Sequence, residues 1–275
     1  MIYKLIGITG YLIYLIYFTK FLEYIWPQEI QNKKLFFIVV MVVTQNVIQV
    51  VVCAYYQIFY SVNHPFFEQF KLVQKPWPWE KNKEEWKKMK IKTLKSIIIN
   101  QSLAALLVSI IPAFECRMDK QSFPSYYEIM KHVIICHLSE DLIFYWSHRI
   151  LHLPQLYPKI HKIHHQYNVS IAIATEYAHP IEFISSNIIP IFSGPYLLGD
   201  QIHCITILIY VGLHLSKAIH QHCGYVFPWE LYNYLPFATN SIHHGLHHSE
   251  NNGNYGSQFI LFDKLFGTCI EYKVK

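Results

Sequence analysis

Three short histidine clusters in the second half of the chain constrain its fold more than any other feature. They read HRILH, HKIHH and HHGLHH, and they contain His148, His152, His161, His164, His165, His243, His244, His247 and His248. Residues at i, i+3 and i+4 share one face of an α-helix, so each cluster predicts two or three imidazoles directed at one point. Neutral imidazole is the commonest side-chain ligand for borderline metal ions. The sequence therefore predicts helices assembled around a metal site.

The candidate ligands are too numerous for one metal ion. Eight histidines fall in helical register: His148, His152, His161, His164, His165, His244, His247 and His248. Tetrahedral and octahedral ions take fewer ligands than this, so a dinuclear centre is expected. His179 and His222 lie between the clusters and are candidate additional ligands, whereas His220 and His243 are possible substitutes for their neighbours.

The other residue types narrow the kind of metal centre. The six cysteines show no CxxC pairing, which argues against a structural zinc site. A glutamate-rich di-iron centre uses two ExxH pairs, but this chain has only Glu176 to His179. Asp141 lies close to two helical turns before His148 and is predicted to accept a hydrogen bond from that imidazole. A histidine-dominated dinuclear site is the remaining interpretation.

Composition predicts a membrane protein. Of the 275 residues, 52% are hydrophobic and 15% are charged, whereas soluble domains carry about 25% charged residues. We predict a single all-α polytopic domain, with residues 1–130 mainly as membrane anchor and residues 131–275 as the catalytic region. The expected spans are Leu5–Trp26, Leu35–Val62, Ser96–Phe114 and a helix from His132 to His148. A fifth apolar region, Phe183–Ser216, is broken at Gly194-Pro195 and Gly199-Asp200, and it predicts a re-entrant or tilted hairpin.

The charge pattern predicts the orientation. The segment from Glu68 to Lys95 holds nine lysines and four glutamates, and the positive-inside rule places such a loop in the cytosol, with the histidine clusters on the same side. A solvated amphipathic face is the other interpretation of this segment. Trp77, Trp79 and Trp86 are predicted to lie at the membrane interface. The net charge of +5 suits anionic lipid or an acidic electron carrier, and no feature predicts nucleic-acid binding.

Five segments resemble the fatty acid hydroxylase superfamily, over roughly Glu140 to Thr268. They are EDLIFYWSHRILH, YPKIHKIHHQYN, EYAHPIE, HCGYVFPWE and HHGLHHSENNGNYGSQFILFDKLFGT. EYAHP and GYVFPW look most like the C-4 methylsterol oxidases. The sequence departs from that group at Gly245, where aspartate is common, and at Tyr272, which precedes Lys273 where a dilysine signal would need a second lysine.

The resemblance implies a multi-pass enzyme of the endoplasmic reticulum membrane with a non-haem di-iron site facing the cytosol. It implies O2 as co-substrate and electrons from NAD(P)H through cytochrome b5 and its reductase. The implied reaction is stepwise hydroxylation of a sterol C-4 methyl group toward the carboxylate. By analogy the ligands are His148, His152, His161, His164, His165, His179, His222, His244, His247 and His248.

Other functions stay open at this point. The same histidine clusters are shared by fatty acid and sphingolipid hydroxylases, sterol desaturases and a sterol side-chain oxidase. A histidine-rich metal transporter is an alternative of a different class, although transporters place ligands within their spans and these clusters lie at span ends. A catalytically inactive lipid-binding relative would have lost cluster histidines, and all eight are present.

Overall fold

Helices make up the regular structure of this chain. The computed structural model describes residues 2–110, 115–167 and 169–271, and within them there are isolated β-bridges but no strands. The α-helices are α1 (Ile2–Ile25), α2 (Lys33–Val62), α3 (Pro65–Glu68), α4 (Pro78–Lys81), α5 (Lys83–Ile110), α6 (Tyr126–Leu151), α7 (Pro180–Glu182), α8 (Ile189–Leu198), α9 (Cys204–His222), α10 (Ser241–Glu250) and α11 (Leu261–Leu265). The predicted all-α class is confirmed.

Two helices of the described chain, α2 and α5, are long and apolar enough to cross a membrane. Only 11% and 17% of the residues in their most apolar windows are buried by the rest of the protein. On α2, exposed apolar side chains include Val39, Val43, Val50 and Ile58. Such a surface needs an apolar environment, which lipid provides. The predicted third span corresponds to α5, and its last four residues, 111–114, lie outside the described residues.

Helix α6 packs against both α8 and α9. Gly194 permits the close approach of α8, because a Cβ atom there would lie 2.4 Å from Cα of Cys136. The predicted helix break at Gly194-Pro195 is therefore wrong, since α8 continues through both residues. The chain does turn at Gly199, whose φ of +52° is one that glycine adopts without steric cost.

The lysine-rich segment from Glu68 to Lys95 is largely helical and not a loop. It contains α4 and the first half of α5, whose lysine, glutamate and methionine residues favour helix. Trp77 is fully buried, stacks on Trp79 and lies beneath the ammonium of Lys71. The predicted interfacial position of Trp77 is thus wrong, because the indole completes an aromatic core.

That aromatic core fixes the end of α9 against α2. Tyr60 donates a hydrogen bond to the backbone oxygen of Cys223, and its ring stacks on Tyr225. The hydroxyl of Tyr56 lies 2.9 Å from Nδ1 of His220. The last turn of α9, which carries His222, is consequently held by buried contacts at the same end of α2 that leads into the lysine-rich segment.

Candidate metal centre

The described residues bring nine histidines into two adjacent groups. The five-histidine group consists of His148, His152, His161, His165 and His247. The four-histidine group consists of His164, His222, His244 and His248. Within each group the potential ligand atoms all lie within 4.8 Å of one another, and most of the side chains are buried. The two groups together contain the eight histidines in helical register, plus His222.

The ring nitrogens face one another at distances that suit metal ligands. Neighbouring Nε2 atoms are 3.0 to 3.3 Å apart in the five-histidine group and 2.9 to 3.1 Å apart in the four-histidine group. With metal–nitrogen bonds of about 2.1 Å, adjacent ligand nitrogens lie about 3.0 Å apart around an octahedral ion and about 3.4 Å around a tetrahedral one. The donor set of each group therefore fits one metal ion.

Three segments of different structure supply most of these side chains. His148 lies in the last turn of α6 and His152 caps that helix. The second cluster lies on a 3-10 helix (His161–Gln166) and not on the predicted α-helix. The third cluster lies on α10, where Asn240 accepts hydrogen bonds from the first backbone N–H groups.

Each of the last two clusters is divided between the two groups. His161 and His165 join the five-histidine group, whereas His164 joins the other. On α10 the i, i+4 pair His244 and His248 joins the four-histidine group, and His247 joins the other. The expectation that each cluster points at a single place is wrong for these two, because the i+3 side chain reaches across to the neighbouring group.

Backbone carbonyls and one carboxylate orient the five-histidine group through the outer ring nitrogens. Nδ1 of His161 lies 2.8 Å from the carboxylate of Glu182, which is 5% exposed. The other contacts run to one loop: Nδ1 of His148 to the oxygen of Tyr255 at 2.9 Å, of His152 to Asn251 at 3.0 Å, and of His247 to Gly253 at 2.8 Å. Such contacts fix the tautomer, so that Nε2 carries the lone pair that binds metal. Sequence reasoning missed Glu182, although it follows EYAHP within a quoted motif.

Burial keeps these imidazoles neutral. Desolvation lowers the pKa of His164 to about 4. Burial also places the pKa values of His244 and His248 well below the ordinary value, with further lowering from neighbouring imidazoles. A neutral imidazole has the free lone pair that metal binding requires. At neutral pH the site is therefore in the form that accepts a cation.

Asp141 binds the backbone of a loop, and among the described residues it forms no hydrogen bond with His148. Its Oδ1 accepts hydrogen bonds from the backbone N–H groups of Ser257, Gln258 and Phe259 at 3.0, 2.7 and 3.2 Å. This is the loop whose carbonyls orient the five-histidine group. The direct contact between Asp141 and His148 expected from the sequence is replaced by the bond from His148 to Tyr255.

Asp263 anchors the same loop, and sequence reasoning did not single it out. Its carboxylate accepts the backbone N–H groups of Tyr255 and Gly256, each at 2.8 Å, and the hydroxyl of Thr268 at 2.7 Å. The spacing of acids along the sequence carries no signal of this role. The loop is thus held by two buried carboxylates from different helices.

Three of the considered histidines lie in neither group. Nδ1 of His179 accepts a hydrogen bond from the backbone N–H of Ile181 and caps α7. His220 contacts Tyr56 and the hydroxyl of Ser241. Nε2 of His243 lies 3.6 Å from the carboxylate of Asp263. The structure brings His222 to the centre, where the sequence gave it the same standing as His179.

A cavity of about 50 Å³ adjoins both groups. Its walls include Phe144, Thr175, Ala178, Ser186, Asn187 and Gln221, together with His148, His161, His164, His214, His222 and His244. A water molecule needs about 10–15 Å³ on this measure, so the cavity has room for a few waters or one small alkyl group. A larger substrate would have only part of its volume in the cavity as it stands.

Comparison with known proteins identifies the family. The model of the fatty acid hydroxylase family matches residues 133–268. Methylsterol monooxygenase 1 of Rattus norvegicus is 34% identical over 208 residues, which cover 76% of this chain and 69% of that protein. Methylsterol monooxygenase 2-2 of Arabidopsis thaliana is 36% identical over 173 residues, which cover 61% of this chain and 64% of that protein.

A differently named relative and the solved structures complete the comparison. The very-long-chain aldehyde decarbonylase GL1-11 of Oryza sativa subsp. indica is 36% identical over 59% of this chain and 62% of its own length. No solved structure matches this chain. The family match coincides with the part of the chain that contains both histidine groups. The chain belongs to the fatty acid hydroxylase family, and methylsterol monooxygenases are among its relatives.

Proposed function

We propose that this protein is a membrane non-haem di-iron oxygenase that oxidises a sterol, with a C-4 methyl group as the reacting carbon. The reaction is stepwise O2-dependent hydroxylation toward the carboxylate. The observation that carries the proposal is the pair of histidine groups that open on one small cavity. The names of the methylsterol monooxygenase relatives supply the substrate class.

The ten histidines named from the resemblance divide into nine proposed ligands and His179. The five-histidine group would hold one iron ion and the four-histidine group the other. Imidazole is a suitable ligand for iron, and the Nε2 spacing fits it. Bound iron would supply the redox chemistry that activates dioxygen. His179 could act as a metal ligand only after α7 rearranges, because Nδ1 of His179 accepts a hydrogen bond from the first turn of that helix.

The residues around the cavity select and position the substrate. The narrow cavity admits a methyl-sized group, and the bulk of a sterol would remain among the apolar helices. Phe144 and Ala178 give the reacting carbon apolar walls, while Asn187 and Gln221 offer polar atoms to an oxygenated product. Glu182 holds the proton on Nδ1 of His161 and so keeps the opposite nitrogen directed at the metal position.

Membrane insertion agrees with the surface of α6 as well as with α2 and α5. Two of the three acids of α6, Glu140 and Asp141 in its middle, are fully buried within the protein, whereas Glu128 lies in the first turn and pairs with Arg117. The opposite side of α6 exposes an apolar stripe at intervals of four residues: Ile134, Leu138, Leu142, Trp146 and Ile150. Acids that face the protein interior and apolar residues that face outward are typical of a membrane helix. We propose α1, α2, α5 and α6 as four spans of one domain, with α8 and α9 as the tilted hairpin.

The proposed location is the endoplasmic reticulum membrane with the metal centre facing the cytosol. The lysine-rich segment follows the end of α2 that contacts His220 and Cys223, so lysines and histidines lie at the same end of the spans. The positive-inside rule then assigns this end to the cytosol. Electrons would come from NAD(P)H through cytochrome b5 and its reductase, for which a basic cytosolic surface is a suitable docking site.

Turnover of a defined sterol tests the proposal. The full-length protein in lipid nanodiscs, loaded with iron, is supplied with a 4-methylsterol, NADH, cytochrome b5 and its reductase. We expect hydroxylated and carboxylated 4-methyl products, which mass spectrometry detects. His132→Gln is the matched control, because His132 is buried on α6 and belongs to neither group. Turnover of fatty acyl or sphingolipid substrates, with every 4-methylsterol unchanged, would reject the sterol assignment.

The rice relative supports a second candidate function. Its printed name describes a very-long-chain aldehyde decarbonylase, and its identity of 36% equals that of the Arabidopsis relative. A linear aldehyde would also present one narrow end to the cavity. The same preparation should therefore be given a very-long-chain aldehyde, and release of the alkane one carbon shorter would favour this candidate.

A further inference from the structure

A third group of potential ligands lies away from the nine histidines. His137 and Glu140 occupy one face of α6, and His214 projects from α9. Their ligand atoms lie within 4.8 Å of one another. We propose that His137, Glu140 and His214 bind a further divalent transition-metal ion of the zinc or iron class, at a site separate from the dinuclear centre. This site goes beyond the proposed oxygenase function and does not depend on it.

Polar atoms without partners converge on this place. Glu140 is fully buried, and neither carboxylate oxygen has a hydrogen-bond partner among the described residues. The Ser257 hydroxyl approaches it without reaching hydrogen-bonding geometry. Nδ1 of His137 and the hydroxyl of the fully buried Tyr210 are likewise unpartnered. Because a buried polar group without a hydrogen-bond partner is destabilising, several at one place indicate a ligand that satisfies them together.

The local charge also favours a cation. Glu140 and Asp141 contribute two buried carboxylates, and Lys217 is the nearby ammonium, itself 4% exposed and bonded to the backbone oxygen of Gln258. No ion pair within 4 Å joins Lys217 to Glu140 in the described residues, whereas Nδ1 of His214 lies 3.7 Å from Glu140. Glu140 is therefore left without a counter-charge, and a divalent ion would supply one, since a buried carboxyl group without a pair or a metal is otherwise protonated.

The donor set suits a borderline metal. Two imidazoles and one carboxylate are the protein ligands of many catalytic zinc sites and of non-haem iron sites. Metal–nitrogen bonds of about 2.1 Å require the three donors to close in slightly from their present separation. The ring of Tyr210 lies 4.9 Å from that of His137 and borders the site. Three protein ligands leave a coordination position for water or for an oxygen atom of a substrate.

The spacing along two helices separates this site from the dinuclear centre. Glu140 precedes His148 by two turns of α6, and His214 precedes His222 by the same interval on α9. At 1.5 Å rise per residue each interval is about 12 Å. His214 also lines the cavity that the dinuclear centre adjoins. The third ion would thus lie at the far wall of the same cavity.

Cobalt binding tests the third site. The full-length chain in nanodiscs is stripped with chelator and titrated with Co²⁺, whose absorption and mass-spectrometric quantity report the bound equivalents. We expect three equivalents for the wild type, two for His214→Gln and Glu140→Gln, and three for the control His132→Gln. The same number of equivalents in the wild type and in both site variants would overturn the proposal, whatever the occupancy of the dinuclear centre.

A milder substitution, His137→Gln, tests the same site in case the Glu140 variant misfolds. His137 is half-buried, so His137→Gln removes one ligand with little loss of packing. Monodisperse elution and an unchanged helical circular dichroism spectrum establish the fold. If folded His137→Gln binds Co²⁺ at the third site at least about tenfold more weakly, the site is supported. An unchanged affinity would exclude His137 and refute the three-ligand site.

Discussion

The two histidine groups differ in what holds their outer ring nitrogens. In the five-histidine group, three Nδ1 atoms contact the loop from Asn251 to Tyr255 and a fourth contacts Glu182. In the four-histidine group, His164 contacts the oxygen of Tyr177, and His222 contacts the oxygen of Ala218 in its own helix. The first group thus depends on the loop from Asn251 to Tyr255 and on a carboxylate, whereas the contacts of His164 and His222 in the second group involve neither. Perturbations of that loop should therefore separate the two metal positions.

Removal of a ligand from either group should have the largest effect. We expect His247→Ala and His164→Ala each to reduce turnover by more than about 100-fold, since even partners of metal ligands contribute about 10–100-fold. Metal analysis should show loss from the group that contains the changed residue. Retained turnover in either variant would refute the assignment of that histidine.

Glu182→Gln should weaken the five-histidine group selectively. The amide keeps the shape of the side chain but loses the charge that orients His161, so metal affinity should fall about 10–100-fold at that group alone. Titration with Co²⁺ measures the affinity of each position. Glu230→Gln is the matched control, because Glu230 is a largely buried acid that contacts Tyr56 and neither group. Equal weakening of both groups would contradict the comparison.

Asp141→Asn should produce a smaller effect that acts through the loop. The carboxylate accepts three backbone N–H groups, and its neutralisation should lower the free energy of unfolding by about 1–3 kcal/mol. We expect weakened turnover with less metal loss than for Glu182→Gln. Thermal unfolding and turnover measure these effects, and the exposed Asp200→Asn is the control. Behaviour identical to wild type would show that the loop does not need this anchor.

Tyr157→Phe should have the smallest effect. It removes only the exposed hydrogen bond from Tyr157 to the side chain of Asn251, while the backbone contact between Asn251 and His152 remains. The free energy of unfolding should change by no more than about 1 kcal/mol. A large loss of metal from the five-histidine group would mean that this side chain, and not the carboxylates, positions the loop.

Much of the centre could be predicted because histidine spacing is a local property. Eight of the nine grouped histidines follow from i, i+3 and i+4 periodicity, which depends only on the neighbouring turns. Asp141 was also found, but its partner was not, since the loop from Ser257 to Phe259 is distant in sequence. His222 and His179 could not be distinguished, because the sequence does not show which of them caps a helix.

The apolar helices show a similar division. The length of the apolar stretches predicted α2 and α5. The residues Gly194-Pro195 predicted a helix break, but α8 continues through both of them. The glycine allows α8 to contact α6 closely, and this contact is a property of two helices and not of one. Trp77 belongs to the buried core for the same reason, since its aromatic neighbours Tyr60 and Tyr225 come from separate segments.

The sequence by itself determined the helical class, the apolar helices and the abundance of imidazole donors, because composition and periodicity act over a few residues. Only the tertiary structure decided that His164 and His247 each belong to a different group from the other histidines of their own cluster. It also decided that Glu182 orients His161. These choices depend on how α6, α9, α10 and the 3-10 helix His161–Gln166 converge. The sequence shows which histidines are present, but contacts between distant segments of the fold decide where each potential metal ligand lies.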